Sequence, residues 1–531
     1  MRKFELHFNE AQARALADRI EPARLSSLSL GVATAGFQCE GGYNGAGEPL
    51  NNWNGWEGRD GFVPSGGACG FWERYAEDAA LMAEHGLRTF RLSLEWARVQ
   101  PVRTADATSP ELDDAAINHY ARILSTFQRA GIEPLCTLYH WTHPAHLGPD
   151  FWLNEDSPVR FAAYLRAFLP RLLDALDRAG GAPLHRYITL NEPNMYALAT
   201  YIAGRFPHQQ KGPRAARRCI ENQLLAHLSA TAVVRELHAA RGIPPPAISF
   251  NNNFSALYRA DALFVDLLLA PAAGIPRNSL AEHLHERERA FTRAMLESEG
   301  ELAVPRLILR WGVRAVEGIL RRGTHPHQLS RLVDAAYAQE SPALDYLAFD
   351  YYDPFPWNVV GRSTPGSDRG VGPIVDEWDW KPHPRGLSAA LALYSQASPH
   401  TPIWLAENGM AIRAVGGRDY PRSDGARRDT FIQAHLYELL RAVADGIPVQ
   451  GYLHWSLWDN YEWGSYQPRF GLIGLDAAAG QIARTPLDAQ GVPALAAFGE
   501  LSRALSEGDR AALARSLTNR RPTANEDSSA D

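Results

Sequence analysis

An α/β fold, a single (β/α)8 TIM barrel with long βα-loop insertions, is predicted by three observations on this sequence. Eight short apolar runs alternate with amphipathic segments of helical period, the signature of parallel βα units. The alternation runs through 531 residues with no low-complexity linker to divide it, and barrels with insertions reach that size as one domain. Two of the runs deliver a glutamate beside an asparagine: Tyr187-Ile188-Thr189-Leu190 leads into Asn191-Glu192-Pro193, and Ile403-Trp404-Leu405-Ala406 into Glu407-Asn408-Gly409. Polar residues are disfavoured in a strand buried on both faces until the chain leaves the sheet, and barrel enzymes keep their chemistry at that end.

The first twenty residues read as an extra helix starting near Asn9, outside the barrel repeat. Strand one is expected near Leu30–Ala35, followed by a helix at Phe71–His85 with Trp72, Tyr75, Ala79 and Met82 at helical spacing. Strands two, three and four fall at Thr89–Ser93, Glu133–Leu138 and Tyr187–Leu190, each followed by a helix, at Asp113–Arg129, Val159–Arg178 and Asn222–Ala240. Strand five is expected at Ala247–Asn251 and strand six at Tyr346–Phe349. The connection between them, 254–344, is too long to be structureless. Helix-like segments at Asp261–Leu269, Glu286–Ser298 and Arg306–Arg321 fill it, and it is expected to build a wall of the site or an oligomer contact, which leaves a homo-oligomer open. Strand seven at Ile403–Ala406, a helix at Arg427–Asp445 and strand eight at Val449–Trp455 complete the repeat. The tail from Asn519 to Asp531 is polar and acidic and is expected to be disordered. The expected division is an N-terminal extension over 1–24, the barrel over 25–518 and the tail over 519–531.

Composition narrows the partners. Hydrophobic residues are 45% and charged residues 21%, ordinary values for a globular protein. A net charge of −7 and a pI near 6.2 give no basic footprint for nucleic acid. Cys39, Cys69, Cys136 and Cys219 show no paired spacing, which argues against a disulfide framework and a zinc site. The segment Met1–Phe8 lacks the apolar core of a signal peptide, and no run of about 18 apolar residues offers a membrane span, so a soluble cytoplasmic protein is expected. Many of the 14 tryptophans fall in loops, at Trp53, Trp56, Trp141, Trp378, Trp380 and within 455–463. Indole faces stack on the C–H faces of sugars, although structural tryptophan is the more frequent case.

Two facing carboxylates at strand ends suit glycoside hydrolysis above other reactions. Around them the strand mouths carry Gln38 and Glu40; Arg91; His140 and Trp141; Asn191 and Glu192; Asn253; Tyr352; Glu407; and Trp455 through Trp463. Each mouth thus holds a hydrogen-bonding or sugar-stacking side chain. Several have plainer readings: Glu40 as a turn hydrogen-bonder, Trp53 and Trp56 as loop packing, Asn253 as a strand cap, Arg91 as a core ion-pair residue. His140, His143 and His146 are spaced three apart, but Pro144 interrupts any helix that would align them, and no metal or cofactor is expected.

The chain is identified as resembling glycoside hydrolase family 1, the β-glucosidase and β-galactosidase family, over roughly 28–500. The resemblance is carried by Gly31-Val32-Ala33-Thr34-Ala35-Gly36-Phe37-Gln38-Cys39-Glu40-Gly41, Tyr139-His140-Trp141, Leu190-Asn191-Glu192-Pro193, Ala406-Glu407-Asn408-Gly409 and Trp455-Ser456-Leu457-Trp458-Asp459-Asn460-Tyr461-Glu462-Trp463. Any one tripeptide is weak; five in order at barrel spacing are specific. The resemblance implies a retaining exo-acting β-glycosidase acting on a small-molecule β-glycoside or oligosaccharide. Glu407 would be its nucleophile and Glu192 its acid/base, with Arg91 and Tyr352 keeping Glu407 ionised and Glu407 raising the pKa of Glu192. It further implies that Gln38, His140, Asn191, Glu462 and Trp463 bind glycone hydroxyls, beside Trp141. Trp455 would be the platform under the ring, and Trp380 would flank the leaving group. The glycone is open among glucose, galactose and fucose, and Glu462 disfavours a 6-phosphate. A transglycosidase with the same intermediate, or a non-catalytic sugar-binding barrel, are the alternatives. Departures from the family pattern are Asp350 before Tyr351-Tyr352, where asparagine is usual, Thr142-His143-Pro144, and Trp458.

Overall fold

The structure is a computed structural model that describes residues 3–522 apart from 60, 103–109, 298–305, 353–376, 378–379, 416–417 and 477–482. Trp378 and the tail beyond 522 lie outside the described residues. Eight parallel strands close a barrel: β1 (Ser29–Ala33), β2 (Thr89–Ser93), β3 (Glu133–Thr137), β4 (Arg186–Asn191), β5 (Ala247–Asn253), β6 (Leu347–Asp350), β7 (Ile403–Asn408) and β8 (Val449–Trp455). They stand in chain order, and β8 pairs with β1 from Ser29 opposite Gly451 to Ala33 opposite Trp455. Gly31 is required where β1 meets β2, because a Cβ there would stand 1.9 Å from the Thr89 carbonyl oxygen.

Strands β4, β5 and β7 run past the apolar residues that announce them, through Asn191, Asn253 and Asn408. Inside a closed barrel these polar side chains bond to one another rather than to water, so a polar residue does not end the ladder. Asn251 Nδ2, for example, donates to Asn191 Oδ1 at 2.9 Å.

The outer layer follows the apolar periodicity. Helices Phe71–Glu84, Asp114–Arg129, Ser157–Arg178, Pro213–Arg241, Pro384–Ala397, Arg428–Ala444 and Ala494–Ser506 cover the strands. Asp113 caps the second of them by accepting from the amides of Ala115 and Ala116. The N-terminal helix Glu10–Asp18 starts on a capping box between Asn9 and Gln12 and packs against the helix Arg510–Thr518. Between β5 and β6 lie the helices Ala262–Leu269, Leu280–Glu297, Arg306–Thr324 and Ser330–Tyr337. A buried ion pair, Arg259 to Glu288 at 2.8 Å, ties this insertion together, and it packs on Pro213–Arg241 and Pro384–Ala397.

Small sheets escape the sequence pattern. Ile412–Val415, Arg418–Tyr420 and Pro468–Arg469 form one, and Gly474–Asp476 pairs with Ala483–Thr485. Strands of two to four residues are too short for any periodicity to show. The first sheet is held over the barrel mouth by buried Arg428, which donates to the carbonyls of Met410 at 2.6 Å, Phe470 at 2.9 Å and Arg469 at 3.0 Å. Cys39, Cys69, Cys136 and Cys219 are buried free thiols. Among the described residues, no helix is long and apolar enough to cross a membrane.

Candidate active site

Arg91 organises the C-terminal mouth. It is fully buried on β2, and its guanidinium reaches four neighbouring strands. Nε donates to Thr137 Oγ1 at 3.0 Å, Nη2 to Asn191 Oδ1 at 2.5 Å and Asn251 Oδ1 at 3.3 Å, and Nη1 to Glu407 Oε1 at 2.5 Å. The Tyr352 hydroxyl donates to the other oxygen of Glu407 at 2.7 Å. Both oxygens of Glu407 are therefore met by donors, one from β2 and one from the bend after β6.

Glu192 enters the same space by a backbone device. It leaves β4 with φ of 40°, in the left-handed region, while its amide donates to the Asn251 carbonyl at 2.8 Å. Trp141 and Trp463, at φ of 68° and 43°, hold the same costly conformation at the mouth. One carboxylate oxygen each from Glu192, Asp350 and Glu407 lies within 4.8 Å of the others. Asn253 ends β5 beside Glu192 and is among the groups that pull the Glu192 carboxyl back down.

Burial is the leading electrostatic force. It pushes Glu192 up to about 8, with the charge of Glu407 as the second cause. Glu407 is also raised, because burial outweighs Arg91 and Tyr352, which both pull it down. The order of causes differs from the sequence-based expectation, which gave the leading part to the charges. Both carboxyls are only 4% exposed, so loss of water dominates.

A polar and aromatic wall stands beside this centre. Trp455 ends β8 and donates Nε1–H to Glu462 Oε1 at 2.9 Å. The His140 ring lies nearly parallel to Trp455 and Trp463 at 5.9 and 6.1 Å, and Trp141 packs 4.8 Å from Trp463 while donating to the Asn191 carbonyl at 2.9 Å. Gln38 Nε2 donates to Asn460 Oδ1 at 3.3 Å. Gln38 Oε1 and His140 Nδ1 are buried without a protein partner, the kind of unmet groups that ligand hydroxyls satisfy, and Glu192 Oε1 is buried without one as well. His140 is held neutral by burial and by Arg91, so its ring keeps one donor and one acceptor. Trp380 packs 5.3 Å from Tyr352 and 6.2 Å from Phe470.

Other residues singled out by sequence sit elsewhere. Glu40 accepts from Arg98 at 2.8 Å, from the Tyr120 hydroxyl at 2.7 Å and from Tyr43, a packing role. Trp53 is buried between Phe37, Phe206 and Trp463. His143 pairs its Nε2 with the Gly148 carbonyl at 2.9 Å, away from His140. Trp458 packs on Phe71 and gives its N–H to Asp78 at 3.0 Å. Sequence reasoning missed Thr137, Asn251 and Phe470. Thr137 and Asn251 left a signal, as polar residues within strands, and Phe470 left none.

Arg91 also carries stability. An Arg91→Met variant leaves Glu407 buried without its cation, an expected loss of about 3–5 kcal/mol at neutral pH. A carboxyl raised above its unfolded value destabilises only above that value, so the deficit shrinks as pH falls and Glu407 takes a proton. Urea unfolding of both proteins at neutral and at acid pH measures this; an equal deficit at both contradicts it.

The sequence match defines the class, an O-glycosyl hydrolase, and the fold is an α/β barrel. The family follows from the sequence match: the chain belongs to glycosyl hydrolase family 1, whose model matches residues 26–267 and 366–490. It is 28% identical over 466 residues to 6-phospho-beta-galactosidase 1 of Streptococcus pneumoniae, covering 84% of this chain and 93% of that protein. It is 26% identical over 467 residues to Beta-glucosidase A of Acetivibrio thermocellus, covering 83% and 91%. The solved family 1 β-glucosidase from Thermotoga maritima superimposes with a TM-score of 0.61 at 22% identity, over 91% of this chain and 97% of that one, and shows the shared fold.

Proposed function

We propose that this chain hydrolyses terminal non-reducing β-D-glycosyl residues by double displacement, with a glucoside as the first candidate and galactosides and fucosides as further glycones. The observation that carries the reading is the approach of Glu192 and Glu407, whose nearest oxygens lie within 4.8 Å. Retaining enzymes hold their carboxyl groups about 5–5.5 Å apart, while inverting enzymes need about 6.5–9.5 Å to admit a water.

In this scheme an oxygen of Glu407 attacks the anomeric carbon while Glu192 protonates the departing oxygen. Glu407, with both oxygens fixed by Arg91 and Tyr352, attacks from one position. Once Glu407 is an ester its charge is gone, the field that raises Glu192 weakens, and Glu192 accepts a proton from the incoming water. Trp455 supports the sugar ring, and Gln38, His140, Asn191, Glu462 and Trp463 bind its hydroxyls beside Trp141; Trp380 flanks the leaving group. The side chain that donates to Glu462, Trp455, is neutral, and the Glu462 carboxyl is pushed up to about 8, mainly by burial. A 6-phosphate there would meet a carboxyl, with no cation paired to it among the ion pairs of the described residues, which favours unphosphorylated glycones.

Turnover of aryl β-glycosides with gluco, galacto, fuco, manno and 6-phospho-gluco glycones tests the proposal. Hydrolysis of at least one unphosphorylated member is expected; a response to the 6-phospho sugar alone contradicts the role of Glu462. The pH dependence carries a sign. Activity rises as Glu407 ionises, above the ordinary carboxylate value, and falls as Glu192 loses its proton near about 8. A kcat/KM profile from about pH 4 to about pH 10 that shows no alkaline fall contradicts the acid role.

A further inference from the structure

The centre holds one more carboxyl than double displacement uses. Asp350 ends β6 fully buried, with an oxygen within 4.8 Å of oxygens of both Glu192 and Glu407. Its two oxygens differ. Oδ2 accepts from Asn251 Nδ2. Oδ1 has no partner, and Arg91 Nη1 stands 4.0 Å from it, beyond hydrogen-bond reach and already committed to Glu407. Glu192 has the matching orphan, Oε1, and the two carboxyls bring oxygens within 4.8 Å of one another. Two carboxylate oxygens cannot satisfy one another, since neither brings a hydrogen. One proton between them satisfies both.

The surrounding charges point the same way. Asp350 faces Glu407 from β7, Glu192 from β4 and Arg91 from β2, with the phenols of Tyr352 and of Tyr394 from the helix Pro384–Ala397 also near. Among the described residues, Arg91 is the one cation that meets these three carboxyls, and its closest bond is to Glu407. Ionising Asp350 as well would bury a charge that shares its counter-ion with Glu407, and a carboxyl so placed takes a proton instead. Burial and both glutamates raise it well above the ordinary value.

We propose that Asp350 is a neutral acid in the working enzyme, its Oδ1–H donating to Glu192 Oε1, and so is the positioning residue for the acid/base carboxyl. Resting on the double-displacement role of Glu192, this assigns the two oxygens of that carboxyl different tasks. One is held by Asp350 through both half-reactions; the other handles the transferred proton. In glycosylation, the glycosidic bond breaks as Glu407 bonds to the anomeric carbon, and the proton on Glu192 goes to the leaving oxygen. The charge left on Glu192 strengthens the hydrogen bond from Asp350. In deglycosylation, water bonds to that carbon as the ester to Glu407 breaks, and the water proton passes to Glu192. The proton on Asp350 stays where it is throughout.

Asp350→Asn keeps a donor of similar size without a titratable proton, and Asp350→Ala removes the donor. Losing a hydrogen bond to the charged form of Glu192 is expected to lower kcat/KM by about tenfold or more in the alanine variant and to move its alkaline limb upward. The asparagine variant is expected to recover most of that loss and to keep the limb of the unaltered enzyme. If Asp350 is ionised instead, asparagine removes a negative charge beside Glu192 and the limb moves downward, which overturns the proposal. An alanine variant with an unaltered profile overturns it too. Difference infrared spectra of the unaltered protein against Asp350→Asn at neutral pH read the group directly. A protonated-carboxyl band is expected, and a carboxylate pair of bands in its place refutes a neutral Asp350. The infrared arm needs no turnover and stands even if the alanine variant does not fold. A parallel Glu192→Gln variant separates the two failures: full activity there sinks the role of Glu192 itself, whatever the state of Asp350.

Discussion

Replacing Glu407 with glutamine is expected to lower kcat for aryl β-glycosides by about 10⁴-fold or more while leaving the fold intact. Glutamine matches the carboxylate in shape: its one oxygen can still accept from Arg91, and its amide nitrogen can donate to the Tyr352 hydroxyl oxygen. What it loses is the charged oxygen that bonds to the anomeric carbon. The same change removes the second-ranked cause of the raised Glu192, so the residual activity should carry an alkaline limb shifted downward. Far-ultraviolet circular dichroism checks the fold, and kcat across pH checks both expectations. A kcat within about tenfold of the unaltered enzyme would remove Glu407 from the chemistry.

Replacing Glu192 with alanine should instead make the enzyme selective for its leaving group. A sugar or alkyl aglycone needs a proton as it departs, so kcat/KM for such substrates is expected to fall by about 10²–10⁴-fold. A dinitrophenyl aglycone departs as a stable anion, and its first step should be far less affected. With no base for the water, the glycosyl-enzyme accumulates, giving a burst and a lowered KM. Equal losses for both kinds of substrate would mean that Glu192 does not donate the proton.

The barrel was legible because its signals are local and repeated. Each of β1 to β8 carries enough consecutive apolar residues to show, and helices such as Asp114–Arg129 keep a strict apolar face. The candidate site was legible at the strand ends for the same reason: Glu192 and Glu407 break an apolar run at the point where the chain enters the mouth. The side chains that support them were harder to see. Thr137 and Asn251 lie inside strands, where a polar residue reads as a flaw in the pattern until the closed barrel supplies Arg91 as its partner. Phe470 follows a strand of two residues, too short to announce itself. Asp350 could be noticed as an unusual acid but not interpreted, because its state depends on three other strands. Likewise, Glu40 and Trp458 look as prominent in sequence as Gln38 and Trp455, and only packing separates Glu40 on Arg98, and Trp458 on Asp78, from the residues of the mouth.

A covalent intermediate on Glu407 is the central claim, and trapping it is the most direct test. Incubation with a 2-deoxy-2-fluoro-β-glycoside bearing an activated leaving group slows release of the ester relative to its formation, and the protein is then digested and its peptides weighed. The expected result is one fluoroglycosyl unit per chain, on the peptide and at the residue Glu407, with loss of activity in step. A label on another residue, or inactivation without any covalent mass, would contradict double displacement through Glu407.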